Sequence, residues 1–135
     1  MLSKESFVHY EVGDPLLDGQ HWDIIQQIML TVTLAKSKLL CDADIWTLRQ
    51  MMIQHFDDEC TSMRDIHFPF YDFHRQEHDK LLKLCDNILK KLPSTPFPIY
   101  ALEDLGRSFV NHVDYHDRQY VRFNASMRTG VCIEK

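Results

Sequence analysis

The sequence predicts an all-α protein: an antiparallel up-down-up-down four-helix bundle with an irregular N-terminal arm. Three observations carry this reading. Apolar residues recur at intervals of three and four in four long segments, the spacing of a helix with one buried stripe. Only four glycines and five prolines occur, and they cluster at the joints between those segments. The 135 residues suit one domain, which buries roughly two-thirds of the surface its unfolded chain exposes. Residues 1–135 are therefore read as a single unit.

Residues 1–18 read as the arm, with Phe7, Val8, Tyr10 and Val12 packing on the outside. Helices are predicted at about 19–40, 43–66, 70–92 and 99–125. The first turns Ile24, Ile25, Ile28, Met29, Val32, Ala35 and Leu39 inward. The second carries Ile45, Leu48, Met52, Phe56, Met63 and Ile66, with Asp42 or Asp44 as its N-cap. The third carries Tyr71, Leu81, Leu82, Cys85, Ile88, Leu89 and Leu92, and the fourth Leu102, Leu105, Phe109, Val113, Tyr120 and Val121. The joints fall at Gly13–Pro15 with Asp18–Gly19, at Cys41–Asp44, at His67–Pro69 and at Leu92–Pro98. Short joints favour antiparallel neighbours.

Charge and composition exclude several partners. Fifteen basic against twenty acidic residues leave a net charge of −5, so the footprint that nucleic acid selects is missing. No apolar run approaches the ~20 residues of a membrane-spanning helix, and membrane insertion is not expected. Cys41, Cys60, Cys85 and Cys132 are dispersed without a C-x-x-C pair, and Met1–Val12 carries no targeting pattern. Reduced thiols in a cytoplasmic protein are the expectation.

The apolar stripes contain gaps, and polar side chains fill them. His21 lies three residues before Ile24; His55 and Glu59 continue the face of Leu48 and Met52. His74 and His78 precede Leu81, and His112 follows Phe109, with Asp117 at the edge of that stripe. Every helix thus aims a metal-capable side chain at one interior. A buried carboxylate costs several kcal/mol unless something positive meets it, and no Lys or Arg occupies these stripes. Protons or metal ions must supply the missing charge, and metal is the economical answer. Five imidazoles and two carboxylates without thiolate suit iron, zinc, manganese or copper. Seven side chains exceed the six positions of one octahedral ion, so two ions are implied, with both acids available to bridge. Donors and one solvent bridge fill eleven of the twelve positions of two octahedral ions, leaving one open for a small neutral molecule.

His116 lies four residues after His112, the better same-face spacing, whereas Asp117 at five is rotated by about 140°. Asp117 is kept as the ligand because two acids balance two cations better than one. His9 and His67 belong to no part of the pattern, and Cys60 reads as a small hydrophobe facing a neighbouring helix.

Taken in order, His21, His55-Phe-Asp-Asp-Glu59, His74-Arg-Gln-Glu-His78 and His112-Val-Asp-Tyr-His-Asp117 resemble the hemerythrin signature H…HxxxE…HxxxH…HxxxxD across nearly the whole chain. The flanks Val12-Gly13, Asp18-Gly-Gln-His21, Met63 and Phe68-Pro69 are similar to those of the stand-alone bacterial form, the bacteriohemerythrins. The resemblance implies reversible dioxygen binding without turnover at two iron ions bridged by hydroxide or oxide, Glu59 and Asp117. It assigns His74, His78 and His112 to one iron and His21 and His55 to the other, with Phe109 lining the dioxygen pocket. The bacterial family usually carries Trp-Leu where this chain has Ser108 and Phe109, so the oxidised form is expected to accumulate faster. Competing readings keep the same centre as an enzyme acting on dioxygen, peroxide or nitric oxide, or as an oxygen-, redox- or iron-sensing module.

Overall fold

The computed structural model describes residues 11–129, with side chains to Met127. Phe7, Val8, His9, Tyr10 and Cys132 lie outside the described residues. Every element in the described span is helical: α1 (Pro15–Lys36), α2 (Asp42–Asp65), α3 (Tyr71–Lys91), α4 (Ile99–His112), a π-helical turn (Val113–Asp117) and α5 (Arg118–Thr129). The last three run on as one rod. α1 packs against α2 and α4, α2 against α3, and α3 against α4, closing a ring of four around a common interior.

α1 begins four residues earlier than the expected start at 19. Asp14 caps it, its Oδ1 accepting from the backbone N–H groups of Leu16 at 3.0 Å and Leu17 at 3.1 Å. Pro15 occupies the first helical turn, where its missing N–H and fixed φ suit a helix start rather than a break. Gly19 is absorbed into the helix, whereas Gly13 before it takes a positive φ of 93°. Val12 is buried, and its N–H donates to Asp18 Oδ1 at 2.6 Å, fastening the chain ahead of the helix.

α1 ends at Lys36, short of the expected 40, because Lys38 turns into the left-handed region at φ 61°. Leu39, read as core, is therefore exposed. α2 is capped at Cys41, one residue before the anticipated Asp42; Asp44 reaches back, its Oδ2 accepting from the Cys41 N–H at 2.9 Å. The α2–α3 link turns through His67 at φ 54° and buries Phe68. The Phe68 ring meets Tyr120 at 5.5 Å and Phe123 at 5.4 Å, which ties the link to α5.

One half of the interior is apolar: Ile24, Ile25 and Ile28 of α1 meet Ile45, Leu48 and Met52 of α2, with Cys85 of α3 and Leu102 and Leu105 of α4. The polar gaps in the stripes are equally buried. His21, His55, Glu59, His74, His78, His112 and Asp117 are each at most 4% exposed. No helix among the described residues is long and apolar enough to cross a membrane.

Candidate metal centre

All seven side chains singled out from the sequence converge in this interior. α1 delivers His21, α2 delivers His55 and Glu59 one turn apart, and α3 delivers His74 and His78. The fourth rod delivers His112 and Asp117 from either end of the π-helical turn. The donor atoms fall into two groups, each within 4.8 Å: His21 and His55 with both acids, and His74, His78 and His112 with the same two acids.

The π turn removes the difficulty posed by the five-residue spacing. Its i→i+5 bonding takes up one extra residue, so His112 Nε2 stands 3.0 Å from Asp117 Oδ1. His116 is left behind the centre, its ring 5.2 Å from that of His112 and its Nε2 3.4 Å from Glu77 Oε1.

Asp117 Oδ2 lies 3.0 Å from His21 Nε2 and 3.8 Å from His55 Nε2. His74 Nε2 lies 2.9 Å from Glu59 Oε1 and 2.8 Å from Asp117 Oδ1, and His78 Nε2 is 2.9 Å from Glu59 Oε1. Hydrogen bonding does not satisfy this set. One proton on His74 Nε2 cannot serve two carboxylates, and Glu59 Oε2, Asp117 Oδ2, His55 Nε2 and His112 Nε2 are buried with no hydrogen-bond partner. Donors at right angles around an ion, with bonds of about 2.0–2.2 Å, stand about 3 Å apart, which is the spacing observed. The donor chemistry and the orphaned atoms both fit metal.

The electrostatics point the same way, since every ion-pair partner shown for these two carboxylates is a histidine. Burial and the charge of Asp117 push the Glu59 carboxyl up, but His74, His78 and His55 outweigh them and hold it below its ordinary value. Burial likewise opposes ionisation of Asp117, yet His112, His21 and His55 around it hold it well below the usual range. His74 answers in kind: burial alone would lower it, but the two carboxylates raise it to about 9. Burial dominates for His78, pushed down to about 4.

An outer layer orients two of the imidazoles. His55 Nδ1 stands 2.7 Å from Gln20 Oε1. The Gln20 amide nitrogen donates to Asp58 Oδ2 at 2.8 Å, an oxygen that only accepts, so Gln20 must present its own oxygen to the imidazole. His55 therefore donates from Nδ1 and offers a bare Nε2 to the centre. His78 Nδ1 meets Cys60 Sγ at 3.6 Å, and its ring stacks on Phe56 with centroids 4.0 Å apart. Sequence reasoning missed these partners. Gln20 beside His21 and Asp58 three residues after His55 were visible, but only the α1–α2 contact gives them a role.

Phe109 is fully buried, its ring 6.0 Å from His21 and 6.4 Å from His55, so it stands over the two-imidazole group. Ser108 faces elsewhere. It lines a groove of about 410 Å³ between α3 and α4, with Glu77, Asn111 and His116, that reaches His112 on the three-imidazole side.

No family model matches the chain, and neither a curated protein nor a solved structure does.

Proposed function

We propose that the chain is a hemerythrin-like protein that binds dioxygen reversibly at a pair of non-haem iron ions. One observation carries this reading: seven buried donors divide into a three-imidazole and a two-imidazole group that share two carboxylates. On this reading His74, His78 and His112 hold one iron and His21 and His55 the other. Glu59 and Asp117, common to both groups, would be shared between the two ions. When bound, the irons supply the electrons that dioxygen takes up and returns.

The chain's own residues do the rest. Glu59 and Asp117 balance cationic charge without a Lys or Arg competing for them. Gln20 keeps the proton of His55 on Nδ1, so the coordinating nitrogen stays bare. Phe109 covers the two-imidazole side and excludes water from the place where dioxygen enters. The short links 37–41, 66–70 and 92–98 between neighbouring helices support an antiparallel up-down-up-down order. Cys41, Cys60 and Cys85 are free thiols, which supports a reducing, cytoplasmic setting.

A second reading, a redox enzyme acting on dioxygen, peroxide or nitric oxide, has one observation in its favour. The α3–α4 groove leads from solvent to His112 past Ser108 and His116. Cycling the purified protein between oxygen and argon separates the two. A carrier changes its visible spectrum and recovers it over many cycles. Continuous consumption of dioxygen or peroxide at the expense of an added reductant supports the enzyme and overturns the carrier.

A further inference from the structure

Outside the seven donors, the contact that asks most for an explanation joins α2 to α3 behind His78. His78 is clamped at both ring nitrogens: Nε2 faces Glu59 Oε1 at 2.9 Å and Nδ1 faces Cys60 Sγ at 3.6 Å. Phe56 stacks on the ring nearly parallel, at 8°, so the imidazole cannot turn. Only the position of its proton is free to change.

That proton has two required positions. With no ion present, the ionised Glu59 needs a proton on Nε2, which leaves Nδ1 as a lone pair. With an ion bound through Nε2, the proton must sit on Nδ1. A partner at Nδ1 that serves both states must donate in one and accept in the other. A carbonyl or carboxylate only accepts; a thiol does both. The contrast with His55 is sharp, because Gln20 Oε1, fixed by Asp58, only accepts and holds His55 in its ligand form in advance.

We infer that Cys60 is a positioning residue for His78 in both states of the site, its thiol donating to Nδ1 when the site is empty and accepting from Nδ1–H when it is filled. The loaded half of this inference rests on the metal reading; the empty half does not. The exchange carries no net charge: one proton leaves Nε2, one arrives on Nδ1, and Cys60 keeps its own while its S–H rotates. Cys60 and His78 also line an α2–α3 groove of about 540 Å³, which gives these protons access to solvent.

The test is side-chain nitrogen NMR on the full chain labelled in histidine, metal-free and loaded with zinc, a diamagnetic probe. Wild type and Cys60→Ser are expected to show the His78 proton on Nε2 when empty and on Nδ1 when loaded. Cys60→Val keeps bulk without a donor or acceptor; it is expected to lose the protected Nδ1–H and release zinc about ten-fold faster. The inference is overturned if wild-type His78 carries its proton on the same nitrogen in both forms, or if Cys60→Val keeps the protected signal and the wild-type release rate. Should Cys60→Val not fold, the wild-type tautomers decide alone. A chain that takes up no zinc or iron sinks the metal reading, and the empty form then still judges Cys60: a proton on Nε2 sustains its donor role, and a proton on Nδ1 removes it.

Discussion

His74 is the side chain on which the charge of the metal-free cluster turns. It faces both carboxylates, which raise it to about 9 from an ordinary 6.5, while burial lowers His78 from 6.5 to about 4. The signs follow from proton uptake. Between pH 4 and 6.5 the unfolded chain binds the proton that folded His78 refuses, so stability rises with pH there. Between 6.5 and 9 the folded chain holds a proton on His74 that the unfolded chain has released, so stability falls as pH rises. The metal-free protein should therefore show its highest melting temperature near pH 6.5, measured by circular dichroism across pH 4 to 9. A profile flat over that range would contradict the assignment of His74 and His78. At this scale the sequence was most informative: polar residues interrupting apolar stripes picked out the seven side chains that converge in the interior. It read Cys60 only as a small hydrophobe and gave Gln20 no role, because a hydrogen bond between helices leaves no periodic trace along either one.

The element that decides the site is the π-helical turn Val113–Asp117. A regular α-helix would carry Asp117 about 140° away from His112, and the extra residue in the turn returns it to the interior. Tyr115 is an exposed member of that turn, as is Asp114. Deleting Tyr115 should restore regular α-helical bonding, leave the histidine and aspartate four residues apart on one face, and keep bound metal. It should also add about 0.5–1.5 kcal/mol from the regained backbone bond. Metal analysis and chemical denaturation of the deletion variant check this; loss of metal with helicity intact would show that the five-residue register is itself required. The five-residue spacing was visible in the sequence as a misfit, but nothing there says whether a helix widens, kinks or ends to absorb it. The start of α1 misled for a related reason, since Pro15 opens a helix when an Asp cap precedes it and breaks one when it does not.

At the scale of the whole molecule, four amphipathic helices leave one half of their shared interior apolar and the other half full of nitrogen and oxygen donors. The apolar half follows from hydrophobic spacing and was legible as such. The pairing of helices and the two-group arrangement of donors depend on how the rods meet, which spacing along one chain does not encode. The polar half is the costly one: two carboxylates lie away from water with only histidines shown as their ion-pair partners, an arrangement that bound cations would relieve. Ions bound there stabilise the folded chain, because the unfolded chain does not bring the seven donors together. The most direct measurement is the iron content of the folded protein purified aerobically, by elemental analysis against protein concentration. Two iron atoms per chain are predicted; a folded chain of full helicity that carries one ion, or none, and takes up no more when iron is supplied would contradict the account.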